Sequence, residues 1–359
     1  MGPMKNVFTK IRQIRALPGE VRALRKEVKR MKKTLREDHA YMNAVRKRDE
    51  RQYYTALPPE KIHQELKDWY RRETGRKLDL EHPEGFSEKV QWLKLYDSTP
   101  LKTKLADKYL VREYVREKIG GQYLTKLYGV WNDFDEIDFD ELPDRFYLKA
   151  NHGCGFNLGV ENKAEFDISA ARKKFKRWMD TNYAYSNGFE LQYRDIPRVI
   201  YAEEYLGRSQ FDLRDEVKVF CFDGKAELFQ FFQKREEKTF KIAIYDREWR
   251  KTPYTFGHPM LKRDLPRPEK LDEIIWIAET LSSGFALARV DLYTLKTGEI
   301  RFGEITFTPY SGSKKWMHEE HNLELGEKIR LPMKYYMPGV SYEFEKKTGN
   351  TAGDTETRQ

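Results

Sequence analysis

Two short stretches near the C-terminal end of this 359-residue chain constrain its fold and chemistry more than any other feature. The first reads Ala288-Arg289-Val290-Asp291-Leu292-Tyr293. The second reads Ile300-Arg301-Phe302-Gly303-Glu304-Ile305-Thr306-Phe307, and Leu295-Lys296-Thr297-Gly298 lies between them. Alternating apolar residues predict two strands, and the short Gly-containing link predicts a hairpin. Side chains alternate with period two along a strand, so Arg289 and Asp291 share a face, as do Glu304 and Thr306. The hairpin brings Asp291 and Glu304 close across the pair. Two carboxylates and a hydroxyl make a hard, oxygen-rich site of the kind Mg²⁺ uses, with phosphate oxygens and water completing the shell. Arg289 beside them can neutralise charge on a transferring phosphoryl group. A plain cross-strand ion pair between Arg289 and Glu304 is the alternative use of these residues. Their apolar setting, where an unpaired charge is costly, favours the functional use.

Three weaker constellations lie upstream. Phe146-Tyr147-Leu148-Lys149-Ala150 reads as a strand ending near a lysine, followed by Asn151-His152-Gly153-Cys154-Gly155. Backbone N–H groups of such a loop, around Gly153 and Gly155, can form an anion nest, and Lys149 adds a point charge. The loop matches neither the P-loop nor the dinucleotide fingerprint. Val199-Ile200-Tyr201-Ala202-Glu203-Glu204-Tyr205-Leu206 is an apolar strand running into two carboxylates, Glu203 and Glu204. A hinge of this kind offers a backbone edge and a carboxylate to an adenine amino group, although a charged strand end is the commoner meaning. Glu216 and Lys218 share a strand face, and helical spacing over Thr103–Lys118 puts Lys108 and Arg112 on one helix face.

The remaining pattern gives the organisation. Helices are expected over Lys61–Thr74, Ser87–Tyr96, Thr103–Lys118, Ile168–Asn187 and Pro268–Ser283. Strands are expected over Phe146–Ala150, Arg198–Tyr205, Glu216–Cys221, Ala226–Gln233, Phe240–Tyr245, Ala286–Tyr293 and Glu299–Phe307, with Phe222-Asp223-Gly224-Lys225 as a hairpin turn. This is an α/β (α+β) chain. Its expected divisions are an arm over 1–52, a mainly helical part over 53–145, a small subdomain over 146–206, a core carrying the metal hairpin over 207–340, and a polar tail over 341–359.

Charge separates the arm from the rest. Residues 1–52 hold 16 Lys and Arg against 6 Asp and Glu, a net +10 in a chain whose total is +9. Ile14, Leu17, Val21, Leu24, Val28, Met31, Leu35, Asp38, Met42 and Val45 step by threes and fours, the seam of a coiled coil. The arm is expected to drive homo-oligomerisation, with an anionic membrane surface or glycan as a secondary contact. Nucleic acid is not among the expected partners. Two cysteines, no bilayer-length apolar run and no signal-peptide pattern point to a reducing, cytoplasmic setting, with the inner face of the membrane as a secondary location.

In order and spacing, these pieces resemble the ATP-grasp superfamily, and more narrowly the TupA-like ATP-grasp family of bacterial surface-polysaccharide gene clusters. The likeness runs from about Phe86 to Pro332. It includes Gly85-Phe86-Ser87-Glu88-Lys89-Val90-Gln91-Trp92-Leu93, Asp107-Lys108 with Val111-Arg112-Glu113-Tyr114, and Leu148-Lys149-Ala150-Asn151-His152-Gly153. It continues through the two hairpin stretches to Thr308-Pro309, Leu325-Gly326 and Leu331-Pro332. The resemblance implies an ATP-grasp fold and an ATP- and Mg²⁺-dependent ligase. Arg112 and Lys149 would hold phosphates under the Gly153–Gly155 loop. Glu203 and Leu206 would face adenine, and Glu216 the ribose. Asp291 and Glu304 would carry Mg²⁺. Thr306 stands where many such ligases have Asn, and Arg289 would stabilise an oxyanion. The family setting implies a carboxylated glycan as acceptor and an amino acid or amine as nucleophile. A glycan kinase, a glycosyltransferase and a coiled-coil scaffold with a vestigial site are the competing readings.

Overall fold

In a computed structural model of the protein, the described residues are 51–207, 213–234, 240–255, 257–316, 318–338 and 340. The chain divides after Ala56. The heptad positions of the arm, residues 14–45, lie outside the described residues, as does the tail after 340.

The unit that begins at Leu57 opens with four helices: α1 (Pro59–Thr74), α2 (Phe86–Tyr96), α3 (Pro100–Ala106) and α4 (Val111–Lys118). Their ends obey local chemistry. Pro59 occupies the first turn of α1, where its missing N–H costs nothing, and Gly75 closes that helix in the left-handed conformation with φ 77°. Thr99 accepts from the Lys102 backbone to cap α3. A single helix is expected over Thr103–Lys118, but the structure breaks it. Asp107 turns its carboxylate onto the backbone N–H groups of Tyr109 and Leu110 at 2.8 and 3.0 Å. This Asp side chain competes with helix continuation as capping residues do. Lys108 therefore sits in a turn and Arg112 in α4, and the two do not share a helix face.

Two antiparallel sheets come next. The smaller has the order β1 (Leu127–Trp131), β4 (Ile200–Glu204), β2 (Phe146–Ala150), β3 (Asn157–Val160). Strand β1 lies inside the stretch expected to be mainly helical, so this sheet begins before residue 146. On one face, Phe146, Leu148, Ala150, Ile200 and Ala202 pack on α5 (Ile168–Met179) through Ala171 and Phe175. The helix expected over Ile168–Asn187 stops at Met179. Asn182 then caps a short 3-10 turn, accepting from Ala184 N. The opposite face carries Tyr147 and Lys149 on β2 and Tyr201 and Glu203 on β4.

The larger sheet has the order β7 (Phe240–Tyr245), β6 (Lys225–Lys234), β5 (Leu213–Phe222), β8 (Leu287–Leu295), β9 (Ile300–Thr306). The β5–β6 link is the expected two-residue turn, with Asp223 and Gly224 at φ 50° and 73°. One face is apolar: Val217, Val219, Cys221, Phe229, Val290, Leu292 and Ile305 bury against α4 and against α6 (Leu271–Ser282). The other face is built from the alternate residues. Register places Gln230, Lys218, Asp291 and Glu304 in one row across four strands, and Arg289 and Thr306 in the row beside it. The last helix among the described residues, α7 (Glu319–Glu327), fastens to α2 where Asn322 accepts from Ser87 N at 2.9 Å.

Candidate active site

The β8–β9 hairpin forms as expected, and Asp291 faces Glu304 directly across it. Its geometry depends on Gly303. The register shifts at that point, and a Cβ on Gly303 would stand 2.9 Å from the Asp291 carbonyl and 3.0 Å from the Tyr293 ring. Backbone cannot yield there as a flexible side chain does. Gly303→Ala is therefore expected to lose most turnover, about tenfold or more, while the apolar face keeps the sheet folded. Steady-state kinetics beside a thermal melt check this.

Charge is concentrated at the hairpin. Arg289 donates from Nε and Nη2 to both oxygens of Asp291 at 2.7 and 2.8 Å, and from Nη2 to Glu304 at 3.1 Å and Thr306 at 3.2 Å. Lys218 reaches Asp291 at 2.5 Å and Glu216 at 2.7 Å. Lys108 reaches Glu304 at 2.7 Å. Asp291 is 2% exposed. Burial pushes Glu304 toward its neutral form. Lys108, Arg289 and Lys218 together outweigh that and hold its carboxyl well below the usual range. Burial likewise opposes charge on Lys218, and Asp291 outweighs it, so the ammonium is held above its ordinary value. At neutral pH, Glu304 and Lys218 are therefore both ionised.

A second cluster stands on the small sheet. Lys149 pairs with Glu203, whose other oxygen accepts from Thr125 at 2.7 Å and Arg112 at 3.3 Å. Arg112 also donates to the Thr125 carbonyl at 2.5 Å. Burial disfavours the Glu203 carboxylate, but Lys149, Thr125 and Arg112 reverse that and lower its pKa. Arg112, expected to hold phosphate, here has a buried guanidinium that donates to Glu203 and Thr125. Between the sheets lies a cavity of about 130 Å³ lined by Lys149, Glu203, Glu204, Leu206, Tyr293 and Gly303. The structure thus brings Lys149, Glu203, Glu204 and Leu206 to one cavity, and Arg289, Asp291, Glu304, Thr306, Glu216 and Lys218 to one charged cluster.

Lys108 ties the two sheets together. Its backbone N–H donates to the Asn151 carbonyl at 3.1 Å while its Nζ holds Glu304. Helical spacing alone conceals this contact, because it assigns Lys108 to a helix; Asp107, a helix-competing residue, is the signal that points the other way. Asn151 fixes the base of the glycine loop, donating to Asp107 and Pro197 at 2.8 Å each. Beyond it, a Cβ on Gly153 would run into the Phe156 and Tyr183 rings, and Gly155 adopts φ 76° in open space.

His152 in this loop is 1% exposed; its Nε2 lies 3.0 Å from the Trp178 carbonyl, and its buried Nδ1 has no hydrogen-bond partner among the described residues. Nε2–H donates to the Trp178 carbonyl. Burial accordingly lowers the pKa to about 4. The unfolded chain takes up this proton near pH 6.5 and the folded one only near 4, so stability is complete above 6.5 and falls as pH drops toward 4. The expected loss is on the order of 3 kcal/mol. Melts of the protein and of His152→Gln across that window check it, since the variant lacks this contribution.

A larger groove, about 920 Å³, runs past Lys225, Arg247, Lys251 and Tyr254. It contains none of the expected residues. Its charges are paired locally, Arg247 with Glu279, Lys328 with Glu227 and Lys251 with Asp264.

The fit of a divalent cation can be judged from the donors. Among the described residues, no group of three or more His, Cys, Asp or Glu side chains is arranged to hold an ion. Mg²⁺ needs only one or two carboxylates when phosphate supplies the rest. Asp291 and Glu304 meet that requirement, and Glu304 is held ionised. Three cations now satisfy the two carboxylates, and a metal held there would leave them available to phosphate oxygens. The residues fit.

The model of the TupA-like ATPgrasp family matches residues 88–330. The chain belongs to that family. No curated protein matches it. Among solved structures, it is similar to N5-carboxyaminoimidazole synthetase from Staphylococcus aureus, with 15% identity over 56% of this chain and 44% of that one and a TM-score of 0.30. It is also similar to D-alanine–D-alanine ligase from Bacillus anthracis complexed with ATP, with 16% identity, 56% and 55% coverage and a TM-score of 0.35. A third is the ATP-grasp ligase PsnB complexed with minimal precursor, Mg and ADP, with 15% identity, 63% and 60% coverage and a TM-score of 0.34. The chain spans about half the length of the solved proteins it matches, and overlap at that level carries no information on substrate. This member of the TupA-like ATP-grasp family places its family-expected carboxylates on the polar face of the large sheet.

Proposed function

We propose that the protein is an ADP-forming carboxylate–amine ligase that works through an acyl phosphate. The observation that carries this reading is the hairpin cluster. It holds two carboxylates able to take Mg²⁺, together with three cations, Arg289, Lys218 and Lys108, within reach of them. Few general bases are needed for this chemistry; charge dispersal and positioning do most of the work. Adenine enters the cavity between the sheets, where Glu203, Glu204 and Leu206 form the hinge. Lys149 turns from Glu203 to the phosphates, and Glu203 keeps Arg112 and Thr125. Glu216 takes the ribose hydroxyls, and the Gly153–Gly155 loop closes over the phosphates and excludes water, which would otherwise consume an acyl phosphate. Bound Mg²⁺, held by Glu304 and Asp291 with Thr306 nearby, supplies Lewis-acid neutralisation of phosphate charge.

The acceptor carboxylate attacks the γ-phosphorus, the bond to the β,γ-bridging oxygen breaks, and ADP leaves. The amine then attacks the acyl carbon. The carbon–oxygen bond to phosphate breaks, one proton from the amine passes to solvent, and inorganic phosphate departs. Arg289 steadies the oxyanion between these bond changes. We assign the acceptor to a uronic acid or other carboxylate of a surface polysaccharide and the nucleophile to an amino acid or amine. ADP and free phosphate that appear only with both co-substrates, with an amide mass gain on the acceptor, test this. A phosphate-sized gain on the glycan without free phosphate would instead make it a kinase.

The cytoplasmic setting and the oligomeric arm belong to the same proposal. Among the described residues no helix is long and apolar enough to cross a membrane. Removing residues 1–52 is expected to reduce the solution mass to that of a monomer, measured by light scattering; an unchanged assembly state contradicts the coiled coil.

A further inference from the structure

One part of the polar sheet face has no role in this scheme. Gln230 continues the row of Lys218, Asp291 and Glu304 onto β6. It is fully buried, and its Nε2 has no hydrogen-bond partner among the described residues. Leaving a buried amide donor unpaired is costly, and native proteins rarely do so without a use for it. The other end of the same amide is occupied, because Oε1 accepts from the Tyr310 hydroxyl.

Tyr310 is held there at a conformational cost. Just beyond β9, Tyr310 and Ser311 take φ of 54° and 57°, with Gly312 next at 61°. Two consecutive non-glycine residues in the left-handed region are unusual, and such strain concentrates at functional sites. The turn is pinned from α2, where Gln91 Nε2 donates to the carbonyls of Ser311 and Gly312 at 3.0 and 3.1 Å. It is pinned again where Ser311 Oγ donates to the Asn187 carbonyl at 2.6 Å. The result is one aromatic plate set against the polar face. Its hydroxyl fixes Gln230, and its ring lies 5.6 Å from the Arg289 guanidinium and stacks on Phe220. Arg289 spends Nε and Nη2 on Asp291, Glu304 and Thr306, and its Nη1 has no hydrogen-bond partner among the described residues.

We propose that Gln230 Nε2 and Arg289 Nη1, organised by Tyr310, form the subsite that receives the acceptor's carboxylate. The inference rests on the ligase reading above and adds to it a recognition residue on β6. The donors decide the chemistry of the ligand. With Oε1 taken by Tyr310, Gln230 presents only N–H, and Arg289 and Lys218 contribute positive charge on either side. An amine finds no acceptor in that trio, whereas a carboxylate finds two donors and a field of the right sign. Gln230 Nε2 is covered in this conformation. Lys218 is its neighbour in the row, and in the proposed scheme its movement toward phosphate uncovers the amide. Tyr310 is a positioning residue, acting through the orientation of the Gln230 amide.

The test separates nucleotide from carboxylate binding. Titration calorimetry with Mg-AMPPNP, the non-hydrolysable ATP analogue, is run first on the full chain and on Gln230→Glu and Tyr310→Phe. Each AMPPNP-loaded protein is then titrated with D-glucuronate and with D-glucose. The expected result is glucuronate binding without glucose binding in the unmodified protein. Gln230→Glu should weaken glucuronate at least tenfold with AMPPNP affinity within twofold, because a carboxylate now faces a carboxylate. Tyr310→Phe should weaken it severalfold, since the amide is then free to rotate. Glucuronate affinity untouched by Gln230→Glu overturns the proposal, as does equal binding of glucose. Should Gln230→Glu fail to fold, an unchanged Tyr310→Phe overturns it alone. Loss of AMPPNP binding in the unmodified protein is a different failure, that of the ligase reading itself.

Discussion

Glu304→Gln is expected to reduce ADP formation by about three orders of magnitude or more while leaving the fold in place. The substitution keeps the size of the side chain and one of the two oxygens, which serve Lys108 on one side and Arg289 and Thr306 on the other. It removes a charge that Lys108, Arg289 and Lys218 together stabilise. The hairpin thereby loses one of the two anionic ligands available to a divalent ion. The cluster also gains a net positive charge that a carboxylate no longer balances. The sheet should survive, because its apolar face, with Val217, Val219, Val290, Leu292 and Ile305, is untouched. Kinetics with varied Mg²⁺ alongside circular dichroism make the check. A loss under tenfold would remove Glu304 from the catalytic site.

Arg289→Lys is expected to fail nearly as completely, and to destabilise as well. Arg289 is 7% exposed and meets Asp291 with two parallel bonds. Lysine cannot form that fork. Asp291, 2% exposed, would keep Lys218 and lose its bidentate partner. Lysine keeps the charge and loses the fork, so the cost is below the about 3–5 kcal/mol of removing one partner from a buried ion cluster. The substitution should therefore lower the melting temperature and cut turnover by roughly a hundredfold or more. A variant that melts like the unmodified protein and turns over normally would mean that the Arg289 fork is ornamental.

The parts of the site that are legible in the sequence are those with a local signature. Alternation and a Gly-containing link suffice for the β8–β9 hairpin, and period two together with the hairpin pairing brings Arg289, Asp291, Glu304 and Thr306 to one face. The Asn151–Gly155 loop is legible because a strand ending in Lys149 runs into glycines. What escapes depends on tertiary contact. Strands β1 and β3 are short and each contains a glycine, Gly129 and Gly159, so neither gives a clean alternating signal. The helix break at Asp107 is hidden by good helical spacing on both sides. It moves Lys108 to Glu304 and Arg112 to Glu203, a different division of labour from the one their spacing suggests. Gln230 and Tyr310 carry no pattern at all. Their relation appears only when register aligns β6 with β5 and a strained turn after β9 folds back over the sheet.

In the proposed scheme, the nucleotide is held from both sheets, which Lys108 and the cavity between them join. That arrangement suits a reaction in which closure of the Gly153–Gly155 loop assembles the site only when nucleotide is bound. It also gives the ion pairs a second use. Lys149, Lys108 and Lys218 each neutralise a carboxylate, and each can exchange it for a phosphate oxygen.

The central claim is that a carboxylate oxygen attacks the γ-phosphorus of ATP. It is tested most directly by carrying ¹⁸O in the carboxylate of a uronic-acid oligosaccharide acceptor, supplying Mg-ATP and an amino-acid pool, and analysing the released phosphate by mass spectrometry. The account predicts one ¹⁸O in each inorganic phosphate formed, transferred when the acyl phosphate collapses onto the amine. Phosphate released without label would contradict it.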